Sequence, residues 1–126
     1  MQPNLPLPTA QRIIWFLLER NQGRRPSVKE VAREVGTTEI LLRRGLRRHR
    51  AAKCREMLTY CCVTYAARLI GGGVKVEAAM RLSGFSQKSN FNRQFRAFIG
   101  CLPHDFVGQK YQRLREWTDS DIKQRD

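Results

Sequence analysis

Apolar side chains recur at helical spacing along most of the chain, and strand-like alternation appears nowhere. Ile13, Ile14, Leu17 and Leu18 mark one face of a helix over 9–21, capped by Thr9 and closed by Gln22-Gly23 ahead of Pro26. Prolines at 3, 6 and 8 make 1–8 an extended arm. Ser27-Val28-Lys29-Glu30 has the S-x-x-E form of a capping box, and the helix it opens turns Val28, Val31, Ala32 and Val35 inward. Gly36 supplies a sharp turn, and Thr37 and Thr38 are placed to cap the next helix. There Ile40, Leu41, Leu42 and Leu46 share the surface with Arg43, Arg44, Arg47 and Arg48. Ala32 permits close approach and Leu42 plugs the second helix into the core, so the pair predicts a helix-turn-helix.

A long helix over 53–70 follows, apolar on most faces in its C-terminal part and therefore central; Gly71-Gly72-Gly73 breaks it. The first pattern then returns. Val74, Val76, Ala79 and Met80 begin a short helix, Ser83-Gly84-Phe85 turns, Ser86 is placed as a cap, and Phe91, Phe95 and Phe98 anchor another helix up to Gly100. Leu102-Pro103 starts a further helix with Phe106, Val107 and Tyr111 as its apolar residues. From 112 to 126 the chain is polar, with Trp117 and Ile122 isolated, and is expected to fray. The expected fold class is all-α: an arm at 1–8, a first helix-turn-helix subdomain at 9–50, a linker helix at 51–73, a second helix-turn-helix subdomain at 74–112 and a tail at 113–126.

Charge changes the picture. The 126 residues hold 24 Lys and Arg against 11 Asp and Glu, a net +13, and eighteen of the cations are Arg. Such a charge opposes folding by self-repulsion and calls for an anionic partner. It is clustered: Arg43, Arg44, Arg47, Arg48, Arg50, Lys53 and Arg55 stand together with no acidic residue among them, which favours nucleic acid over a membrane surface. The 41% of hydrophobic residues excludes a disordered basic tail. No apolar run is long enough for a membrane span, and the first residues lack the form of a secretory leader.

Other chemistries find little support. Cys54, Cys61, Cys62 and Cys101 form no CxxC pair, and His49 and His104 complete no zinc-finger spacing, so neither metal nor cofactor is expected. Cys61 and Cys62 suit a core, whereas Cys54, between Lys53 and Arg55, has the setting that lowers a thiol pKa and leaves a redox role open. Residues 71–73 lack the Lys-Ser of a phosphate loop, and His104, although beside Asp105, suits a helix start. No enzyme is indicated.

The string from Gly84-Phe85-Ser86 through Ser89, Phe91, Arg93, Phe95, Arg96, Gly100 and Pro103 to Phe106 resembles the C-terminal signature of AraC/XylS-type transcription regulators, G-F-S-x-x-S-x-F-x-R-x-F-(K/R)-x-x-x-G-x-x-P-x-x-(F/Y), and meets each of its fixed positions. Residues 27–48 resemble the family's first helix-turn-helix less tightly, and the resemblance covers about 9–111. Three positions depart from it. Gly45 replaces a larger apolar residue in the first recognition helix, Met80 stands where Ala is usual, and Val63 stands where the linker helix often has Arg. No sensing domain accompanies the two units, as in standalone members, and the chain is expected to be complete.

The resemblance implies a homeodomain-like, AraC-type fold whose recognition helices, near 38–48 and 87–98, enter successive major grooves of double-stranded DNA. Ile40, Arg43 and Arg44 of the first unit and Lys88, Ser89, Asn90 and Arg93 of the second take the base-contacting positions. Thr38, Arg47, Arg48, Arg50, Ser86, Gln87, Asn92 and Arg96 suit phosphates. The linker helix is expected to set the separation, so that a monomer reads one asymmetric site; a dimer stays open. Family resemblance further implies activation by contact with RNA polymerase, with Lys29 and Arg33 on a candidate surface, in the cytoplasm on a bacterial nucleoid. The alternatives are a repressor or architectural DNA-binding protein, and a protein-interaction module that antagonises a polymerase subunit.

Overall fold

The computed structural model describes residues 7–49 and 54–108; the side chains of 7–8, 45–49 and 54 are outside that description. The described residues form six α-helices and one 3-10 turn, without a strand. They are α1 (Leu7–Arg20), α2 (Val28–Val35), α3 (Glu39–His49), α4 (Cys54–Gly71), α5 (Val76–Leu82), α6 (Lys88–Ile99) and the 3-10 turn Pro103–Phe106.

Helix α1 begins at Leu7, so Pro8 and Thr9 lie inside it; the expected arm is shorter and Thr9 is not its cap. A proline in the first turn loses nothing, because its missing N–H would have had no intrahelical acceptor. The rest of the arm lies outside the described residues. The capping box of α2 forms as its residues predict: Ser27 Oγ accepts from Glu30 N at 3.1 Å, and Glu30 Oε1 accepts from Ser27 N at 3.0 Å. Gly36 closes α2 with φ of 87°. Thr38 Oγ1 then accepts from Leu41 N at 3.2 Å and starts α3, which runs on through Gly45. In the second unit the helix is capped one residue later than expected. Gln87, not Ser86, is the N-cap of α6, and its side chain makes no capping bond. The helix expected from Leu102-Pro103 is a 3-10 turn; Phe106 is buried in it, Val107 is exposed, and Tyr111 and the tail lie outside the described residues.

Helix α4 forms the centre. Tyr60, Cys61, Cys62, Val63, Ala66 and Ala67 are almost fully buried, because α1 covers one side and α5 and α6 cover another. Val63, near the place where the resemblance implies an arginine, is a core residue with no exposed surface. Helix α1 is fastened by polar contacts as well as packing: Gln11 Nε2 donates to Thr64 Oγ1 at 3.1 Å, and Trp15 Nε1 donates to the Cys61 carbonyl at 2.9 Å. The second unit is built on rings. Phe85, Phe91, Phe95 and Phe106 follow one another at centroid distances of 5.1, 5.7 and 5.7 Å, and Tyr60 of α4 meets Phe98 of α6 edge-on at 5.5 Å. Geometry of this kind adds about 0.5–1.5 kcal/mol per pair beyond burial.

The central helix is not the only connection between the two units. The loop from α1 to α2 presses against the end of α5 and the turn after it. A Cβ added to Gly23, whose φ is 94°, would lie 2.5 Å from the Arg81 carbonyl oxygen and 2.9 Å from Leu82 Cα. One added to Gly84 would lie 3.1 Å from Arg25 Cβ. The guanidinium of Arg25 lies 5.6 Å over the Phe85 ring, and its Nη2 donates to Thr59 Oγ1 at 2.6 Å. One loop thus holds the first unit, the central helix and the second turn together.

The capping box carries a pH dependence. Arg24 forks onto Glu30 at 3.1 and 2.7 Å, and this pair, then the Ser27 backbone bond, lowers the Glu30 pKa from 4.5 to about 2. A depressed carboxylate pKa stabilises the fold above the unfolded value and loses that contribution as pH falls. Urea midpoints of the wild type should therefore decline from near pH 4.5 towards about 2 through this group. Glu30→Gln should lack that part of the decline, and matching pH curves for the two proteins would refute the assignment.

Candidate nucleic-acid interface

Helical periodicity decides which side chains α3 and α6 present. In α3, Leu42 is buried and turns the opposite face outward, which exposes Ile40 (67%) and, one turn on, Arg44. Arg43 is also exposed but is held back by Glu39, one turn earlier, at 3.4 Å. Arg47 and Arg48 lie on α3 with side chains outside the described set, and Arg50 lies outside it entirely. In α6 the buried Phe91, Phe95 and Phe98 place Ser89, Arg93 and Arg96 on the exposed face. Arg93 Nη2 donates to Asn90 Oδ1 at 2.9 Å, so the guanidinium and the amide form one unit at the start of the helix.

The two helices meet at a shared feature. A cleft of about 710 Å³ is lined by Arg43 of α3, Asn90 and Gln94 of α6, Arg55, Leu58 and Thr59 of α4, and Arg25 and Val28 from the first unit. No acidic side chain is among those lining residues. Ser86 and Gln87 are exposed beside the start of α6, and Thr38 is exposed beside the start of α3. The cleft thus brings together two of the expected residues, Arg43 and Asn90. Lys88 and Asn92 lie elsewhere. They line a groove of about 360 Å³ on the other flank of α6, with Glu77, Met80, Phe91 and His104.

Sequence reasoning missed Glu39 and Arg25. An acid in the first turn of a helix complements the backbone dipole, and its spacing of four to Arg43 was the available signal. Arg25 carried no such signal, because it lies in a loop where periodicity does not apply.

Among the described residues the cysteines and histidines are either buried or apart from one another. Burial pushes the Cys62 thiol up to about 11, and it pushes the Cys61 thiol well above its usual range, so neither is a thiolate at neutral pH. The side chain of Cys54 is outside the described residues. His104 and Asp105 pair at 3.5 Å on open surface. Among the described residues no three of His, Cys, Asp and Glu gather as a metal site would require. Nor is any helix among them long and apolar enough to cross a membrane.

Comparison with known proteins agrees with the fold. Residues 31–109 match the family model described as a helix-turn-helix domain. The fold is similar to the crystal structure of a DNA-binding transcriptional dual regulator from Escherichia coli K-12, with a TM-score of 0.61 and 21% identity, over 83% of this chain and 97% of that one. No protein of curated function matches the sequence.

Proposed function

Since the chain belongs to the AraC-type helix-turn-helix family of sequence-specific DNA-binding transcription regulators, we propose that it acts as a monomeric activator reading two successive major grooves of one asymmetric site. The observation that carries this reading is the cleft shared by α3 and α6, which sets Arg43 and Asn90 on the same side of the molecule. Arg43, Arg44 and Arg93 fork onto guanine O6 and N7, Asn90 pairs with adenine N6 and N7, and Ile40 meets a thymine methyl. Ser89 reaches a base edge from the first turn of α6, whereas Lys88 lines the groove on the other flank. Thr38, Arg47, Arg48, Arg50, Ser86, Gln87 and Arg96 take phosphates, which position the protein without reading sequence. The free N–H groups at the start of α6 suit the same role. Activation proceeds through RNA polymerase, for which Lys29 and Arg33, exposed on α2, are the candidate contacts.

Selection of binders from a random duplex library tests the reading. The expected result is an asymmetric motif in two parts, spaced by about one helical turn, ~10 bp between centres. A reporter carrying that motif should rise when the protein is expressed. A palindromic motif would instead indicate a dimer, and an absence of enrichment would remove the DNA reading.

A further inference from the structure

The cleft between α3 and α6 contains two arginines that the recognition helices do not supply. Arg55 is exposed on the first turn of α4, and Arg25 enters from the loop between α1 and α2. With Arg43 they bring three cations to one cleft whose described lining includes no acid. Like charges gathered in this way repel, and an anion between them relieves the repulsion.

Arg25 is held for the task. Thr59 accepts from Nη2 and the Phe85 ring lies against the guanidinium, which fixes the side chain before any ligand arrives. Guanidinium has five N–H donors in a fixed fork, so the bond to Thr59 leaves others for an oxyanion. The place of the cleft identifies that oxyanion. A duplex docked with α3 and α6 in successive grooves has, between those grooves, the strand backbone that separates them.

We propose that Arg25 and Arg55 form a seat for the phosphodiester backbone between the two grooves, an inference that rests on the two-groove reading above. The seat fixes the register of the protein along the duplex. Because Arg25 also touches Thr59 and Phe85, a phosphate bound there tightens the joint between the units. Arg55 is a direct phosphate contact, and Arg25 is both a contact and a positioning residue.

The test uses the full chain and a fluorescent duplex recovered by the library selection, with affinity measured by anisotropy across salt concentrations. Arg55→Gln should lower the slope of log K against log salt by ~0.9, the release expected for one phosphate contact. The gap between wild type and variant should then narrow about 3.5-fold from 0.05 to 0.2 M salt. A neutral methylphosphonate at the steps between the two motif halves should weaken the wild type and add nothing further to Arg55→Gln. Arg25→Lys keeps the charge without the fork, so its folded fraction, corrected for any fall in thermal midpoint, should bind more weakly than the wild type. An unchanged salt slope for Arg55→Gln, or full additivity with the methylphosphonate, would overturn the seat while leaving the two-groove reading intact. A wild type that binds no duplex would instead refute the reading on which it rests.

Discussion

Gly23→Ala should cost about 3 kcal/mol of stability, a large share of the roughly 5–15 kcal/mol that holds a domain of this size together. Two effects combine. The backbone at Gly23 has a φ of 94°, where an alanine is strained by about 1 kcal/mol. The new methyl would also lie 2.5 Å from the Arg81 carbonyl oxygen and 2.9 Å from Leu82 Cα, which are main-chain atoms unable to swing aside. Forcing such a contact apart costs about 1–3 kcal/mol more. Gly36→Ala separates the two effects. Its φ is 87°, but an added Cβ would meet nothing within 4 Å, so only the conformational cost of about 1 kcal/mol applies. At roughly 4 °C per kcal/mol, Gly23→Ala should melt about 8 °C below Gly36→Ala. The folded fraction should also bind the selected duplex less tightly than its population explains, because the loop must retreat from α5 and carry α3 out of step with α6. Equal midpoints for the two variants would show that the loop is not a joint.

This joint is the part of the fold that the amino-acid pattern could not reveal. Each helix declared itself through the apolar positions that burial demands. Phe91, Phe95 and Phe98 on α6 and Leu42 on α3 face inward as their spacing requires. The outward direction of Ile40, Arg44, Ser89 and Arg93 then follows by geometry, so much of the candidate interface was legible. Helix ends were less so. The motif at Gly84-Phe85-Ser86 offers Ser86 as a cap, yet the backbone turns helical only after Gln87. Contacts between a loop and a helix end left no trace at all. Gly23 meets Arg81 and Leu82 far along the chain, and the loop side has no repeating pattern to mark the meeting. The central helix alone therefore looked sufficient to set the separation of the units. The same blindness hid Arg25, whose value lies in touching Thr59 and Phe85 at once.

The recognition arginines give the second large effect. Arg44→Ala and Arg93→Ala should each weaken binding to the selected duplex by ~1–3 kcal/mol, since each removes a fork onto a guanine. They lie on separate helices and share no partner among the described contacts, so the double variant should lose about the sum, ~2–6 kcal/mol, or roughly thirtyfold to twenty-thousand-fold. On a duplex of unrelated sequence the losses should be small, because phosphate contacts dominate there. Arg43→Ala should fall at the lower end of the range. Its guanidinium already faces Glu39 at 3.4 Å and must turn away to reach a base. That exposed pair is worth little, so it reduces the gain from DNA without blocking it. Arg93 gives up only a neutral amide, Asn90, which then becomes free to meet an adenine of its own. Arg48→Ala, by contrast, should weaken selected and unrelated duplexes alike, as a phosphate contact does. A double variant no weaker than either single one would mean that only one helix reads the site. Equal losses on both duplexes for Arg44 and Arg93 would mean that neither reads it, and that the arginines bind the backbone alone.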